Sequence, residues 1–466
     1  MKPWTINRRG YTLCTFSCMV LLLILITTVF FPPYGSRLPT SLQSKPEQES
    51  AETRKIWKLP PMDQRIPINA SMSLTPEDEY SGFHDNWTFD TDRDERNFHL
   101  SPKQCSIAFP KFYYEIERAV KYRILKGLGR ITEQDVDITW REGGGEILRA
   151  MIYDKQLYII DVEWADHGYD VPRAIAILHS INRAVISYPG KLPNIEFALN
   201  LSDWPLDPDH RWPLWVFTRH EEDPEKWVVP DFGYWSWPES FMGEYSELRH
   251  EIRENEPSWQ HKFPKAVWRG AIATNELREE LLKKSKNKPW ADIKSITWDD
   301  KANLKKIGLT IPQHCNYKFV VHTEGHSYSG RGKYLLNCQS VSIVHTPMWL
   351  EPHTHLFISE GPNQNIVAVD RNFTNLDSAM KDLLTSPRKA QRIARNSVQT
   401  FRDRYLTPAA QACYWRRLFY VWSQISFEPK LFHDVKDQNG QRRRKVRGKP
   451  FESFVSEFTL PVKAES

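Results

Sequence analysis

Strand and helix signals alternate from Phe109 to the region beyond Pro408, and this alternation constrains the fold more than any other feature. Parallel strands need crossover connections, usually helical, so alternation predicts an α/β chain. Phe112, Tyr113, Ile116, Ala119, Val120 and Ile124 recur at helical spacing. Residues 146–161 read as a hairpin whose apolar-rich strands flank Asp154-Lys155. Gly143-Gly144-Gly145 has the composition of a phosphate loop, but no helix opens after it, so it reads as the connection into the hairpin. A helix over residues 173–187 and a buried strand over 195–201 complete a first block, ending at Ser202-Asp203-Trp204-Pro205. A second block follows residue 255: a strand end at 266–269, a helix over 275–284, a strand over 317–322, a short helix over 332–337 and strands over 340–345 and 366–369. Helical segments from Leu376, Pro387 and Pro408 close it. Two such blocks predict two nucleotide-fold-like domains facing a cleft, the usual place for ligands. After Pro429 the period is lost, and Arg442-Arg443-Arg444-Lys445 reads as a solvated charge run in a polar basic tail.

The 466 residues leave room for two or three domains, and a formal net charge of +5 over 63 basic and 58 acidic residues is too slight for a dedicated nucleic-acid binder. From Tyr11 to Phe31 no side chain is charged, whereas Lys2, Arg8 and Arg9 precede the stretch. About 20 apolar residues cross a bilayer core, so this predicts a single-pass anchor with residues 1–10 cytosolic. A cleaved signal peptide would have a shorter apolar core and a small-x-small site, not Phe30-Phe31-Pro32-Pro33. Residues 32–100, broken by prolines, read as a lumenal stem. Asn69, Asn86 and Asn372 head glycosylation sequons, and so does Asn200, which abuts Asp203 and is expected to stay unglycosylated. Cys14 and Cys18 fall in the apolar stretch. The other four, Cys105, Cys315, Cys338 and Cys413, face an oxidising lumen and allow three pairings into two disulfides. None has Cys-x-x-Cys spacing, so zinc is not expected.

Three constellations carry candidate chemistry. Asp203 stands just past a buried strand's C-terminal end, where ligands bind in open α/β sheets; its plainer reading is a turn cap before Pro205. Asp207-Pro208-Asp209 superficially resembles a metal-holding Asp-x-Asp but reads as a turn among prolines. Arg269, in Trp268-Arg269-Gly270, could pair two phosphate oxygens or form an ordinary ion pair. The run from Gly325 to Lys333, with glycines at 325, 330 and 332 and the cations Arg331 and Lys333, reads as a diphosphate cradle entering a short helix, its plainer reading being a Gly-rich loop. It is not a P-loop, because Arg331-Gly332 stands where that motif needs Lys and Ser or Thr.

Taken in order, Asn200-Leu-Ser-Asp-Trp-Pro205, Val229-Pro-Asp-Phe-Gly-Tyr-Trp-Ser-Trp-Pro-Glu239, Trp268-Arg-Gly270, Ser329-Gly-Arg-Gly-Lys333 and Cys413-Tyr-Trp415 resemble glycosyltransferase family 90. This is the capsule-associated-protein and protein O-glucosyltransferase-like family, and the Tyr-Trp-Ser-Trp-Pro-Glu wording looks more like its fungal branch. The resemblance covers about residues 100–430. It implies a GT-B fold of two Rossmann-like domains, an acceptor domain over 101–255 and a UDP-sugar donor domain over 256–430. It also implies inversion at the anomeric carbon without an obligatory metal, manganese assistance remaining open. By the same resemblance Asp203 falls on the general base, and Arg269, His326, Ser327, Tyr328, Ser329, Gly330 and Arg331 fall on donor-binding positions. Cys315–Cys338 and Cys105–Cys413 match family disulfides. Phe232, Tyr234, Trp235 and Trp237 would line the acceptor side by stacking, or pack as a core turn.

The chain lacks a Lys/Arg-Asp/Glu-Glu-Leu ending, which with the apolar stretch implies a type II enzyme of the Golgi (or endoplasmic reticulum) membrane with a lumenal catalytic body. The expected reaction moves xylose or glucose from a UDP-sugar to a hydroxyl of a glycan or glycoprotein. Two readings compete within the family: an inert, membrane-tethered glycan- or UDP-binding relative, and a protein O-glucosyl- or xylosyltransferase acting on Ser/Thr. A glycoside hydrolase would need a second carboxylate facing Asp203, for which Glu239 is the one candidate.

Overall fold

A computed structural model describes residues 65–77, 86–141, 145–165, 168–205, 212–237, 242–298 and 300–459. These residues fall within one unit, Ile56–Ser466. Helix α1 (Tyr114–Leu125) precedes β1 (Ile147–Tyr153) and β2 (Gln156–Glu163), which form an antiparallel hairpin. Asp154 and Lys155 at its tip both have positive φ, +47° and +59°. That is the type I′ conformation whose twist matches the flanking strands. Helix α2 (Asp170–Ile186) leads to β3 (Ile195–Asn200), buried throughout and antiparallel to β1, with Ile147 opposite Asn200. The short strands β4 (Trp215–Val216) and β5 (Trp227–Val228) extend the sheet in parallel. The strand Lys449–Pro450 adds to its other edge beside β2.

The second sheet is parallel throughout. It comprises β6 (Phe263–Gly270), β7 (Ala291–Ser295), β8 (Tyr317–His322), β9 (Val341–His345) and β10 (Val367–Val369), in the spatial order β7-β6-β8-β9-β10. Helix α3 (Glu276–Ser285) connects β6 to β7, and the single turn α4 (Gly332–Leu335) lies between β8 and β9. The strand order reverses between β6 and β8, which creates a crevice outside their carboxyl ends. Gly270 and His322 stand at those two ends.

These features correct the expected GT-B pair of Rossmann-like domains. Only the second block is a doubly wound parallel sheet. In the first, a two-residue turn reverses the chain, and strands so joined must be antiparallel. Nor does a cleft separate two independent cores. Helix α5 (Pro408–Ile425), reached after the last parallel strand, is buried along almost its whole length and returns to the first sheet. There Tyr414 donates to the Val228 carbonyl (2.7 Å), Trp422 to that of Glu196 (2.9 Å) and Trp415 to the Ser180 hydroxyl (3.2 Å). One contiguous apolar cluster runs from Phe197, Trp215 and Trp422 to Val267, Val320 and Val344 of the parallel sheet, whose other face carries a second cluster.

The membrane helix expected over 11–31 finds no support either. That stretch lies outside the described residues, and no helix among the described residues is long and apolar enough to cross a membrane. The tail keeps more order than its composition suggests. Phe432–Lys436 and Arg442–Val446 form an exposed hairpin, so the charge run is a solvated strand. Arg447 then reaches buried Glu196 at 2.8 Å, and the helix Phe451–Thr459 packs on β2 and α2.

Candidate functional site

Two loops, one from each sheet, meet at the crevice. The first follows β3 and carries Asp203, whose side chain is 31% exposed and accepts a 2.9 Å hydrogen bond at Oδ1 from Arg173 of α2. Among the described residues its second oxygen has no hydrogen-bond partner. The second loop follows β8. From it Ser327 Oγ donates to the Asp203 main-chain carbonyl at 2.5 Å, and His326 stacks on Trp204 with centroids 3.7 Å apart. Burial holds the His326 imidazole below its usual range; Asp203 opposes that shift while Arg278 and Arg173 reinforce it. The ring is therefore neutral at pH 7. Trp204, 56% exposed, presents an aromatic face beside Asp203.

Of the cations read in the sequence the structure keeps Arg331 at the site, commits Arg269 elsewhere and adds Arg278. Arg269 is buried and committed. Its Nη2 pairs with Asp292 at 2.9 Å, Nε donates to the Ile307 carbonyl, and Nη1 donates to the carbonyls of Trp268 and Asp292. A guanidinium so saturated has little left to offer a phosphate. The uncommitted charges are Arg331 and Arg278, which flank the Trp268 ring at 5.7 and 5.9 Å. Arg278 donates to the carbonyls of Glu324 and Ala271, and Arg331 to that of Arg269. Among the described residues neither has an ion-pair partner. Burial, reinforced by the neighbouring guanidiniums of Arg278 and Arg269, pushes Arg331 down to about 9. Burial pushes Arg278 down to about 10 against the favourable field of Asp203. Arg278 escapes a sequence reading because Glu276-Leu-Arg-Glu-Glu280 resembles any solvated helix start. Its position in the first turn after β6, beside the strand-order reversal, is the signal that finds it.

The remaining loop residues line the crevice less than the sequence suggests. Tyr328 is buried with its hydroxyl on Asp231 (2.9 Å), and Ser329 and Gly330 are buried. Helix α4 has only four residues, so its amino end supplies no useful dipole. Of the aromatics expected on the acceptor side, Phe232 and Tyr234 belong to the core. Half-buried Trp235 stacks on His179 of α2 at 4.8 Å, and half-buried Trp237 packs on Phe232 at 5.0 Å. Glu239, Asp207 and Asp209 lie outside the described residues.

Disulfides join Cys105 to Cys413 and Cys315 to Cys338, the first tying α5 to the helix Pro102–Ala108. Among the described residues the one grouping within metal-ligand reach is Glu256 with Cys315 and Cys338, whose sulfurs are already bonded to each other. Asn69, Asn86 and Asn372 are exposed, whereas Asn200 is buried and donates to the Ser202 carbonyl.

Behind α4 a small cavity is lined by Val320, His322, Gly332, Ser342, Glu351 and His353, among others. Burial pushes the Glu351 carboxyl up to about 8, with Lys333 opposing and Asp231 and Glu324 adding to the shift. Its ordinary value is 4.5, so between pH 4.5 and 8 the folded protein holds a proton that the unfolded chain has released. Stability therefore falls as pH rises through that window, by about 1.4 kcal/mol per unit at most. Glu351→Gln, neutral at every pH, is expected to flatten this fall and to melt above the native protein at pH 8. Thermal melts of both proteins from pH 5 to 8.5 check it.

The sequence of this protein matches the family model for glycosyl transferase family 90 over residues 129–447. Protein O-glucosyltransferase 3 of Rattus norvegicus is 26% identical over 255 residues, covering 52% of this chain and 49% of that protein. Protein O-glucosyltransferase 1 of Homo sapiens is 23% identical over 268 residues, 53% of this chain and 66% of that one. The O-glucosyltransferase rumi homolog of Aedes aegypti is 25% identical over 268 residues, 52% and 65% respectively. The chain belongs to glycosyl transferase family 90. It spans about half to two thirds of the length of these curated relatives.

Proposed function

We propose that this chain transfers a sugar, with inversion, from a UDP-sugar to a protein or glycan hydroxyl in the lumen of the secretory pathway. The observation that carries the reading is one partly exposed carboxylate, Asp203, beside two guanidiniums that lack an ion-pair partner among the described residues, Arg278 and Arg331, at the reversal of a doubly wound sheet. A buried and a half-buried cation side by side disfavour each other's charge, and a diphosphate would relieve both. The names of the relatives support glucose as the sugar and a protein hydroxyl as the acceptor; the two disulfides support an oxidising compartment.

In this reading Asp203 removes the proton of the acceptor hydroxyl as that oxygen attacks C1 from the face opposite UDP. The C1–O bond to the diphosphate breaks, and UDP leaves with the electron pair. An alcohol holds its proton far above pH 7, so the attack needs a base within hydrogen-bond reach. Arg173 fixes the carboxylate through Oδ1 and leaves Oδ2 for the acceptor. Arg278 and Arg331 meet the negative charge growing on the leaving group, and Trp204 offers a stacking face.

The test is UDP release by the purified chain over a panel of UDP-sugars, with folded protein acceptors and free glycans, in chelator and in manganese. Release with UDP-glucose and a protein acceptor, retained in chelator, is expected. Binding of UDP with no turnover on any acceptor would favour the inert relative instead.

A further inference from the structure

We propose that Asp231 is a positioning residue for the donor-side loop, acting through Lys333 and Tyr328. This deepens the donor-site reading above and rests on it. Asp231 follows β5 in the first half of the chain and is buried. Its Oδ1 accepts the Gly233 N–H at 2.9 Å. Its Oδ2 accepts both the Tyr328 hydroxyl at 2.9 Å and Lys333 Nζ at 2.8 Å. The Lys333 side chain has no exposed surface, and it also donates to the Gly330 carbonyl at 2.6 Å. Tyr334, Tyr234 and Trp237 surround the ammonium, at 4.8, 5.3 and 5.6 Å from their ring centres. The charge of Lys333 is thus spent on Asp231 and three aromatic rings, not on a ligand.

The fit leaves no slack. A Cβ on Gly233 would come within 2.7 Å of Lys333 Nζ. On Gly330 it would come within 2.4 Å of the Trp237 ring and 3.2 Å of Asp231 Oδ2. Tyr334 closes the arrangement by donating to the Gly233 carbonyl at 2.7 Å. Residues 328, 330, 333 and 334 are therefore pinned to a single carboxylate and its loop, and Arg331 is enclosed within that span. A cation so held is preorganised, and ligand binding need not order it. The sequence motif around Asp231 thereby sets the geometry of a guanidinium 100 residues further along the chain.

A purely structural pair would give the same contacts, so the test needs a control of equal burial. Lys262 and Glu256 supply one, at 2.5 Å with 0% and 6% exposed side chains. UDP affinity by calorimetry, kcat and donor KM, and thermal melts would be compared for the native protein, Asp231→Asn, Tyr328→Phe and Lys262→Met. Tyr328→Phe is expected to weaken UDP binding about fivefold and Asp231→Asn tenfold or more, chiefly in donor KM. Lys262→Met is expected to lower the melting temperature with donor KM unchanged. Should Asp231→Asn fail to fold, Tyr328→Phe decides. Native UDP affinity in the folded Asp231 and Tyr328 variants, with a lowered melting temperature, overturns the positioning role alone. Absence of UDP binding by the native protein overturns the donor reading and this inference with it.

Discussion

Asp203→Asn is expected to lower turnover by about 10²–10⁴-fold while leaving UDP affinity within about twofold. Asparagine keeps the shape of the side chain, and its carbonyl oxygen can still accept from Arg173. The main-chain carbonyl of residue 203, which holds Ser327, is untouched by the substitution. What disappears is the capacity to take a proton. Single-turnover rates and UDP calorimetry on the same preparation check the split. A variant that keeps full activity would remove Asp203 from the role of base, and one that loses UDP binding as well would show the loop to be a structural prop.

The second large effect concerns the three arginines around Trp268, where the sequence and the structure assign different work. Arg331→Ala and Arg278→Ala are each expected to weaken UDP binding by about 10–100-fold, since a hydrogen bond to a charged group contributes about 1.5–3 kcal/mol. Both remove a cation, Arg278 buried and Arg331 half-buried, without an ion-pair partner among the described residues, so neither strands a carboxylate. Arg269→Ala should behave otherwise. Against burial, the Tyr317 hydroxyl, Arg269 and Lys294 together hold the Asp292 carboxyl down to about 2, and the variant removes the second of these. The variant also leaves the carbonyls of Ile307, Trp268 and Asp292 without their donor, at about 1–3 kcal/mol for each that stays buried and unsatisfied, so it is expected to lose stability first, with UDP affinity changing little in whatever remains folded. Denaturant melts set beside UDP titrations separate the two patterns. A large affinity loss for Arg269→Ala at unchanged stability would return that residue to the donor site.

Much of the local structure was legible because it depends on short-range chemistry. The apolar-rich strands flanking Asp154-Lys155 marked the hairpin, and the apolar run from Ile195 marked a fully buried strand with Asp203 just past its end. The glycine-rich run from 325 to 332 was recognisable as a site where backbone must approach something closely. Strand β7 was missed, since Ala291-Asp-Ile-Lys-Ser295 has the composition of a polar connector and lies at the sheet edge. The tail was missed for a similar reason: Arg442–Val446 is strand only because Phe432–Lys436 pairs with it.

The sequence by itself determined which residues could do chemistry and roughly where each stands on a strand end or loop, because periodicity and turn preference are local properties. Tertiary structure alone decided which of them are free to act. Whether Arg269 or Arg278 keeps an unspent charge depends on Asp292 and the Ile307 carbonyl, and whether Tyr328 faces a ligand or a carboxylate depends on Asp231, 97 residues away. The same holds for the fold. An apolar strand pattern does not encode the direction of its neighbour, and a buried helix pattern does not say which sheet it covers. The first sheet was settled by a two-residue turn, and the union of both halves by α5, whose aromatic face finds the greatest burial far from its place in the chain.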